Sequence, residues 1–144
     1  MKHLFTAILL ATAVPAFGQG MPAPEGAEVY FISLEDGASV TSPVTVQFGL
    51  SGMGVAPAGT DAPNTGHHHL LLNRPPLGEG PDGAEEFLYG LPADDNHRHF
   101  GAGQTEVTLE LPPGSHTLQL VLGDMNHVPH DPPVVSPVIT ITVQ

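Results

Sequence analysis

Apolar and polar residues alternate over short runs of this sequence, which is the pattern of β-strands with one buried face. In residues 43–50 every second side chain is apolar, and residues 105–111 and 116–123 repeat that pattern. We predict two further strands at residues 27–34 and 134–143. No window of about twelve residues has the apolar spacing of a helix, so we expect helices to be nearly absent.

Glycine and proline divide these runs at short intervals. The chain has 17 glycines and 16 prolines, and short strands between frequent turns are typical of β-sandwiches. We therefore predict an all-β fold, an immunoglobulin-like antiparallel β-sandwich of about seven short strands. Within it, residues 105–111 and 116–123 should pair as a hairpin, and residues 85–89 should form a short edge strand.

One stretch combines an apolar strand with candidate chemistry. Residues 67–69 are three consecutive histidines, followed by three leucines and then by Asn-Arg-Pro-Pro. The run is too short for a helix and ends at prolines, so it reads as a buried strand. Because side chains alternate along a strand, His67 and His69 should share one face while His68 lies on the other.

The N-terminus has the features of an export signal. A basic start precedes apolar residues 4–14 and a breaker with small residues at 15–18. We predict a signal peptide at residues 1–18, a flexible leader at 19–26 and a single β-sandwich domain at 27–144. The apolar segment is too short to span a bilayer, so we expect a periplasmic or secreted protein with no membrane span.

The charge balance narrows the class of partner. The chain has 3 basic and 15 acidic residues and a net charge of −12, and removal of the signal would also remove Lys2, the only lysine. A basic face for nucleic acid cannot be assembled from the remainder. The acidic field instead favours cations.

Histidine clustering is the strongest chemical signal in the sequence. Eight of the nine histidines follow residue 66, and a His-X-His pair on a strand presents two imidazoles that one metal ion can bridge. Two such pairs occur, and a His-X-X-His spacing follows in a later loop near carboxylates that can orient a ring. We predict a metal site drawn from His67, His69, His97, His99, His127 and His130. Less favoured ligands are His68, His116, Asp124 and Met125.

Copper is favoured over zinc as the bound metal. There is no cysteine, so the ligands must be nitrogen, oxygen or thioether sulfur, and Met125 beside His127 offers a thioether suited to copper. Imidazole ligation also predicts that affinity falls steeply between about pH 7 and pH 5, because protons compete for the same nitrogens.

Three functions stay open at this point. The first is a periplasmic metal carrier or buffer, which the clustering favours. The second is a small copper or zinc metalloenzyme, which needs an open coordination position and a charged guide such as Arg74 or Arg98. It is less favoured, because the sequence has no zincin helix, carbonic-anhydrase or deaminase pattern. The third is a non-metal interaction or assembly module, whose histidines only hydrogen-bond turns and whose sheet edge pairs with another periplasmic protein.

Four blocks of the sequence resemble a known family. They read GMGVAPAGT at 52–60, NTGHHHLL at 64–71, DNHRHFG at 95–101 and HTLQL at 116–120, continuing to Ser136. On these blocks the chain is similar to the bacterial exported domain of unknown function 4399. The resemblance implies a small periplasmic β domain, and it brings no activity with it.

Overall fold

Nine short strands and one turn of 3₁₀ helix make up the regular structure of residues 20–144, the part of the chain that this computed structural model describes. The predicted signal peptide, residues 1–18, lies outside the described residues. The prediction of an all-β fold is confirmed. The strands are β1 (Glu28–Phe31), β2 (Ser39–Val40), β3 (Val44–Ser51), β4 (Gly54–Val55), β5 (Thr65–Leu72), β6 (His97–His99), β7 (Glu106–Leu109), β8 (Gly114–Gly123) and β9 (Ile139–Val143).

The strands form two sheets. One has three strands in the order β1-β3-β7, and the other has the order β2-β9-β8-β5-β4, with β6 also paired to β5. On the side of β5 away from β8, β4 pairs with Thr65 and Gly66, and β6 pairs with His69 to Leu71. The histidine strand is therefore central in the larger sheet and has neighbours on both sides.

The main core lies between the two sheets and consists of the apolar residues that alternate along the strands. Val46 of β3 and Leu70 of β5 are fully buried there, as the period of two predicts. Leu118, Leu120 and Leu122 of β8 are also fully buried in this core.

The opposite face of the larger sheet carries a second, smaller apolar cluster. Leu71 and Val121 on this face pack with Leu91, and partly buried Leu77 packs against them. Leu77 and Leu91 belong to the long connection between β5 and β6, which covers this side of the sheet. His67 and His69 share this outer face with Leu71, so their surroundings differ from those of the main core.

Two local predictions are wrong. Residues 85–89 do not form an edge strand, because Glu85–Phe87 is a 3₁₀ turn closed by the bond from Leu88 N–H to the Glu85 carbonyl. Strands β7 and β8 do not form a hairpin, because β7 pairs with β3 in the small sheet and β8 pairs with β5 and β9. The two prolines between β7 and β8 have no N–H for a ladder, and the chain crosses there from one sheet to the other.

The strand count and the leader also differ from expectation. There are nine strands where about seven were predicted: the predicted strand at residues 85–89 is replaced by the 3₁₀ turn, and three strands of two or three residues, β2, β4 and β6, were not predicted. Part of the predicted flexible leader is held in place: Ala23 N–H donates to the Asp131 carbonyl, and Asp131 N–H donates to the Met21 carbonyl. Among residues 20–144, no helix has the length and apolar character needed to cross a bilayer.

Candidate metal centre

Four histidine rings meet on the outer face of the larger sheet. One ring nitrogen from each of His67, His69, His99 and His127 lies within 4.8 Å of all the others. His67 and His69 are completely buried, whereas His99 and His127 are partly exposed. The group can hold a metal ion with one side closed by the sheet and the other close to solvent.

The shortest distances between ring nitrogens show why this group suits a metal ion better than hydrogen bonds among the rings. His67 Nε2 lies 3.0 Å from His69 Nε2 and 3.0 Å from His127 Nδ1. A ring nitrogen has either one hydrogen or one lone pair in the ring plane, so it can form only one good hydrogen bond. The three nitrogens therefore cannot all be satisfied by one another, but a single cation among them would satisfy all three.

The strand register brings the first three rings together. His67 and His69 share a face because they are two residues apart on β5, and His99 of β6 is directly opposite His69. The ring centroids of His69 and His99 are 5.0 Å apart, as are those of His67 and His99. A His-X-His pair and its cross-strand neighbour thus form three corners of the site.

Two glycines leave room for these rings. Gly123 on β8 is opposite His67, and a Cβ atom there would lie 2.7 Å from His69 Nε2. A Cβ atom on Gly101 would lie 2.3 Å from His99 Cε1. Any larger residue at either position must displace one of these histidine rings.

The fourth ring comes from the loop that follows β8. His127 adopts a left-handed conformation with φ of 68°, which is uncommon for a residue with a side chain. The buried carboxylate of Asp124 fixes this turn, since its Oδ1 accepts the N–H groups of Asn126 and Val128 at 2.8 and 3.0 Å. Its Oδ2 accepts Met21 N–H at 3.1 Å, so the segment after the predicted signal peptide is joined to the same loop.

We expect Asp124→Asn to lower metal affinity by about 10- to 100-fold while leaving one site per chain, because it weakens the bonds that position His127. Competition titration against a chelator of known affinity measures this change. The matched control is Asp95→Asn, which removes a carboxylate whose side chain is 96 % exposed and which lies close to β6. An equal loss in both variants would mean that only general charge matters, and the positioning role of Asp124 would be wrong.

Burial favours the neutral form of three imidazoles of this group, those of His67, His69 and His99. The pKa of His67 falls from 6.5 to about 4, first through burial and then through repulsion from His127 and His99, although Asp124 acts in the opposite direction. The pKa of His69 falls to about 2, again mainly through burial, and burial also lowers the pKa of His99. Between about pH 6 and pH 4 the ring nitrogens of His67 and His69 still have free lone pairs, so the proton competition expected between about pH 7 and pH 5 moves to lower pH for these two residues.

In each of the two buried rings, the nitrogen that faces away from the group has no hydrogen-bond partner among the described residues. His67 Nδ1 and His69 Nδ1 are buried, and neither has a hydrogen bond within residues 20–144. Metal-bound histidines usually donate this second N–H to a carbonyl or carboxylate. Here the sheet packing and the two glycines, rather than such bonds, hold the rings in orientation.

The other predicted ligands lie elsewhere. His97 is on the same face of β6 as His99, but its Nδ1–H donates to the Asp94 carboxylate at 2.9 Å, and its Nε2 accepts from Arg74. His130 is buried, with its ring nitrogens 3.2 Å from the carbonyl oxygens of Leu122 and Thr65. Neither belongs to the group of converging rings.

The less favoured candidates are also outside that group. His116 Nε2–H donates to the Pro112 carbonyl, and its Nδ1 accepts from Asn73 Nδ2, so it joins a strand to a turn. His68 is in the main core with its ring 5.2 Å from that of Phe48. The backbone of Gly49 and Gln104 lies close to the His68 ring, but neither ring nitrogen has a hydrogen bond of ordinary geometry within residues 20–144.

Met125 and Asp124 contribute through the loop backbone and its hydrogen bonds. The carbonyl of Met125 accepts Gly59 N–H at 2.9 Å, which ties the loop to the segment after β4. Sequence reasoning considered Asp124 as a less favoured ligand and as one of the carboxylates that can orient a ring, but it missed its role in fixing the loop backbone and the roles of Gly123 and Gly101. The signal for Gly123 and Asp124 is a Gly-Asp step between a strand and a loop histidine, which has meaning only when the register of β5 against β8 is known.

One known family matches most of the residues that form this fold. The profile of the family described as "domain of unknown function (DUF4399)" matches residues 46–144, more than half of the chain. The chain belongs to this family. The matched part of the DUF4399 domain includes all four converging histidines and both of the glycines beside them. No curated protein and no solved structure matches the chain.

Proposed function

We propose that this DUF4399 protein is a periplasmic metal-binding protein that takes copper, in preference to zinc, at His67, His69, His99 and His127. The observation that carries the proposal is the position of His67 Nε2, 3.0 Å from two other ring nitrogens that it cannot satisfy simultaneously. The acidic chain, with its net charge of −12, adds a field that attracts cations.

The ligand type and spacing support copper over zinc. With metal–nitrogen bonds of about 2.0–2.1 Å, neighbouring ligands are about 2.9 Å apart at a right angle and about 3.3 Å apart at a tetrahedral angle. The two 3.0 Å separations are closer to the first value, and square-planar nitrogen sites are typical of Cu(II). Cu(II) also stands above Zn(II) in the general affinity order of such ligands.

A carrier or buffer role is favoured over catalysis. Catalytic metal sites keep a coordination position open for water or substrate, whereas four imidazoles fill a tetrahedral ion and take all four in-plane positions of a square-planar one. Arg74, one of the two arginines considered as a guide for substrate, is paired with Glu86, and Arg98 lies 3.6 Å from Asp95. Neither guanidinium is left as an unpaired charge to steer a substrate to the metal.

The metal bound in vivo tests this proposal. We would export the mature chain from Gln19, without a His-tag, and measure copper and zinc per chain by elemental analysis. We expect close to one copper per chain and a Cu(II) electron paramagnetic resonance spectrum with nitrogen hyperfine structure. Zinc at full stoichiometry that copper does not displace would contradict the choice of metal. Absence of both metals would favour the interaction module, and the search would move to protein partners at the sheet edges.

A further inference from the structure

A cleft next to the metal centre is not used by the proposed function. It has a volume of about 600 Å³, within the range of small-molecule sites. The connection between β5 and β6 forms its walls, and His97 of β6 lies at its base together with Arg74 and Glu86. Leu91, on one wall, donates its N–H to the His127 carbonyl at 2.8 Å, so the cleft and the metal loop are adjacent.

The charges at the base of the cleft are already balanced. Glu86 is 5 % exposed, is paired with Arg74, and also accepts Gly78 N–H at 2.8 Å. Arg74 also donates to His97, which is bonded in turn to Asp94. This chain of side chains fixes the base, and it leaves Arg74 poorly placed to recruit an anion.

The carboxylates on the rim of the cleft have no positively charged partner among the described residues. Glu79, Asp82 and Glu85 line the cleft and are exposed, and none of them has an ion pair with a residue in 20–144. They do not form an inorganic cation site, because the four-histidine group is the only close set of metal-type ligands among the described residues. The charge is spread around a wide opening, which suits a larger cation.

Apolar and aromatic surface completes the cleft. Tyr89 is 78 % exposed, and it lines the opening. Leu91 and three prolines supply apolar wall. An aromatic face beside carboxylates and apolar surface is the combination that binds ammonium groups with a hydrocarbon body, through cation–π and charge contacts.

We propose that this cleft binds a small organic cation, an amine or quaternary ammonium compound, with Tyr89 against the charged group and Asp82 and Glu85 supplying the opposite charge. The proposal does not depend on metal at the histidine centre. Its test therefore uses the chelator-treated mature chain, so that failure of metal binding would not affect the outcome.

Choline and its uncharged analogue 3,3-dimethyl-1-butanol are the probes, since they share a shape and differ in charge. Titration followed by amide chemical shifts should show saturable binding of choline that moves the signals of Gly83, Gly90 and Leu91, and much weaker binding of the alcohol. Tyr89→Ser should weaken choline binding by about two- to fivefold. The double variant Asp82→Asn/Glu85→Gln should weaken it by roughly three- to tenfold, and the loss should shrink as salt is raised.

The controls separate the cleft from general surface effects. Tyr30→Ser removes another exposed tyrosine, 44 % exposed on β1 of the small sheet, and Glu25→Gln/Asp61→Asn removes two exposed carboxylates that do not line the cleft. All of these side chains are exposed, so the variants should fold normally. No saturable choline binding in the millimolar range, equal binding of the alcohol, or equal losses in the control variants would overturn the proposal.

Discussion

Replacing His69 with alanine is expected to lower metal affinity by about 100-fold or more, whereas His68→Leu should leave affinity and stoichiometry unchanged. The two residues are neighbours in sequence, but His69 points to the converging rings and His68 points to the main core. Loss of one of four ligands forfeits roughly a quarter of a binding free energy on the order of 10–16 kcal/mol. Chelator competition on each purified variant measures the difference.

His68→Leu should also stabilise the metal-free protein, by about 1 kcal/mol or more. It replaces a fully buried ring, whose two nitrogens have no hydrogen bonds within residues 20–144, with an apolar side chain in an apolar core.

His99→Ala serves as a second variant for the metal-affinity measurement, because His99 is only partly buried and its loss leaves a smaller cavity than the loss of His69. If His68→Leu weakens metal binding as much as His69→Ala does, the assignment of the two faces is wrong.

Acid is expected to unfold the metal-free protein at unusually mild pH. Burial lowers the pKa of His67 and of His68 from 6.5 to about 4, and that of His69 to about 2. Between about pH 6.5 and pH 4 the unfolded chain binds protons that the folded chain does not, so the free energy of unfolding falls as the pH falls. Each such histidine contributes a slope of roughly 1.4 kcal/mol per pH unit, and three together can exhaust a typical stability of about 5–15 kcal/mol.

Urea denaturation at a series of pH values measures this slope. The slope gives the number of protons that the chain takes up when it unfolds. We expect this number to be smaller by about one in His68→Leu, because that variant loses one of the three buried imidazoles. Bound metal should move the acid transition to lower pH, since ligand binding stabilises the folded state alone. A metal-free stability that stays constant from about pH 6.5 to pH 4 would contradict the burial of neutral imidazoles.

The fold class and half of the candidate metal centre could be predicted from local patterns. Alternation along β5 assigns His67 and His69 to one face and His68 to the other, and the structure has them so. The all-β class also follows from short alternating runs between turns. Those arguments need only the period of a strand, which is a local property of the chain.

The remaining half of the centre depends on pairing, which spacing does not give. His97 and His99 look equivalent in sequence, but β6 pairs so that His99 is opposite His69 and His97 is opposite Leu71. His127 reaches the site through a loop in a left-handed conformation at that residue, and no periodic pattern predicts such a turn. The hairpin prediction failed for the same reason: adjacency in sequence favoured β7 with β8, and the prolines between them allowed a crossing to the other sheet instead.

The position of the bound ion tests the central claim most directly. A crystal of residues 19–144 loaded with Cu(II), with anomalous data collected at the copper edge, would locate every copper in the molecule. We predict one anomalous peak per chain between His67, His69, His99 and His127, with four nitrogens at about 2.0 Å. A peak elsewhere, or no peak in protein that has been supplied with excess copper, would contradict the claim that these four rings form a metal centre.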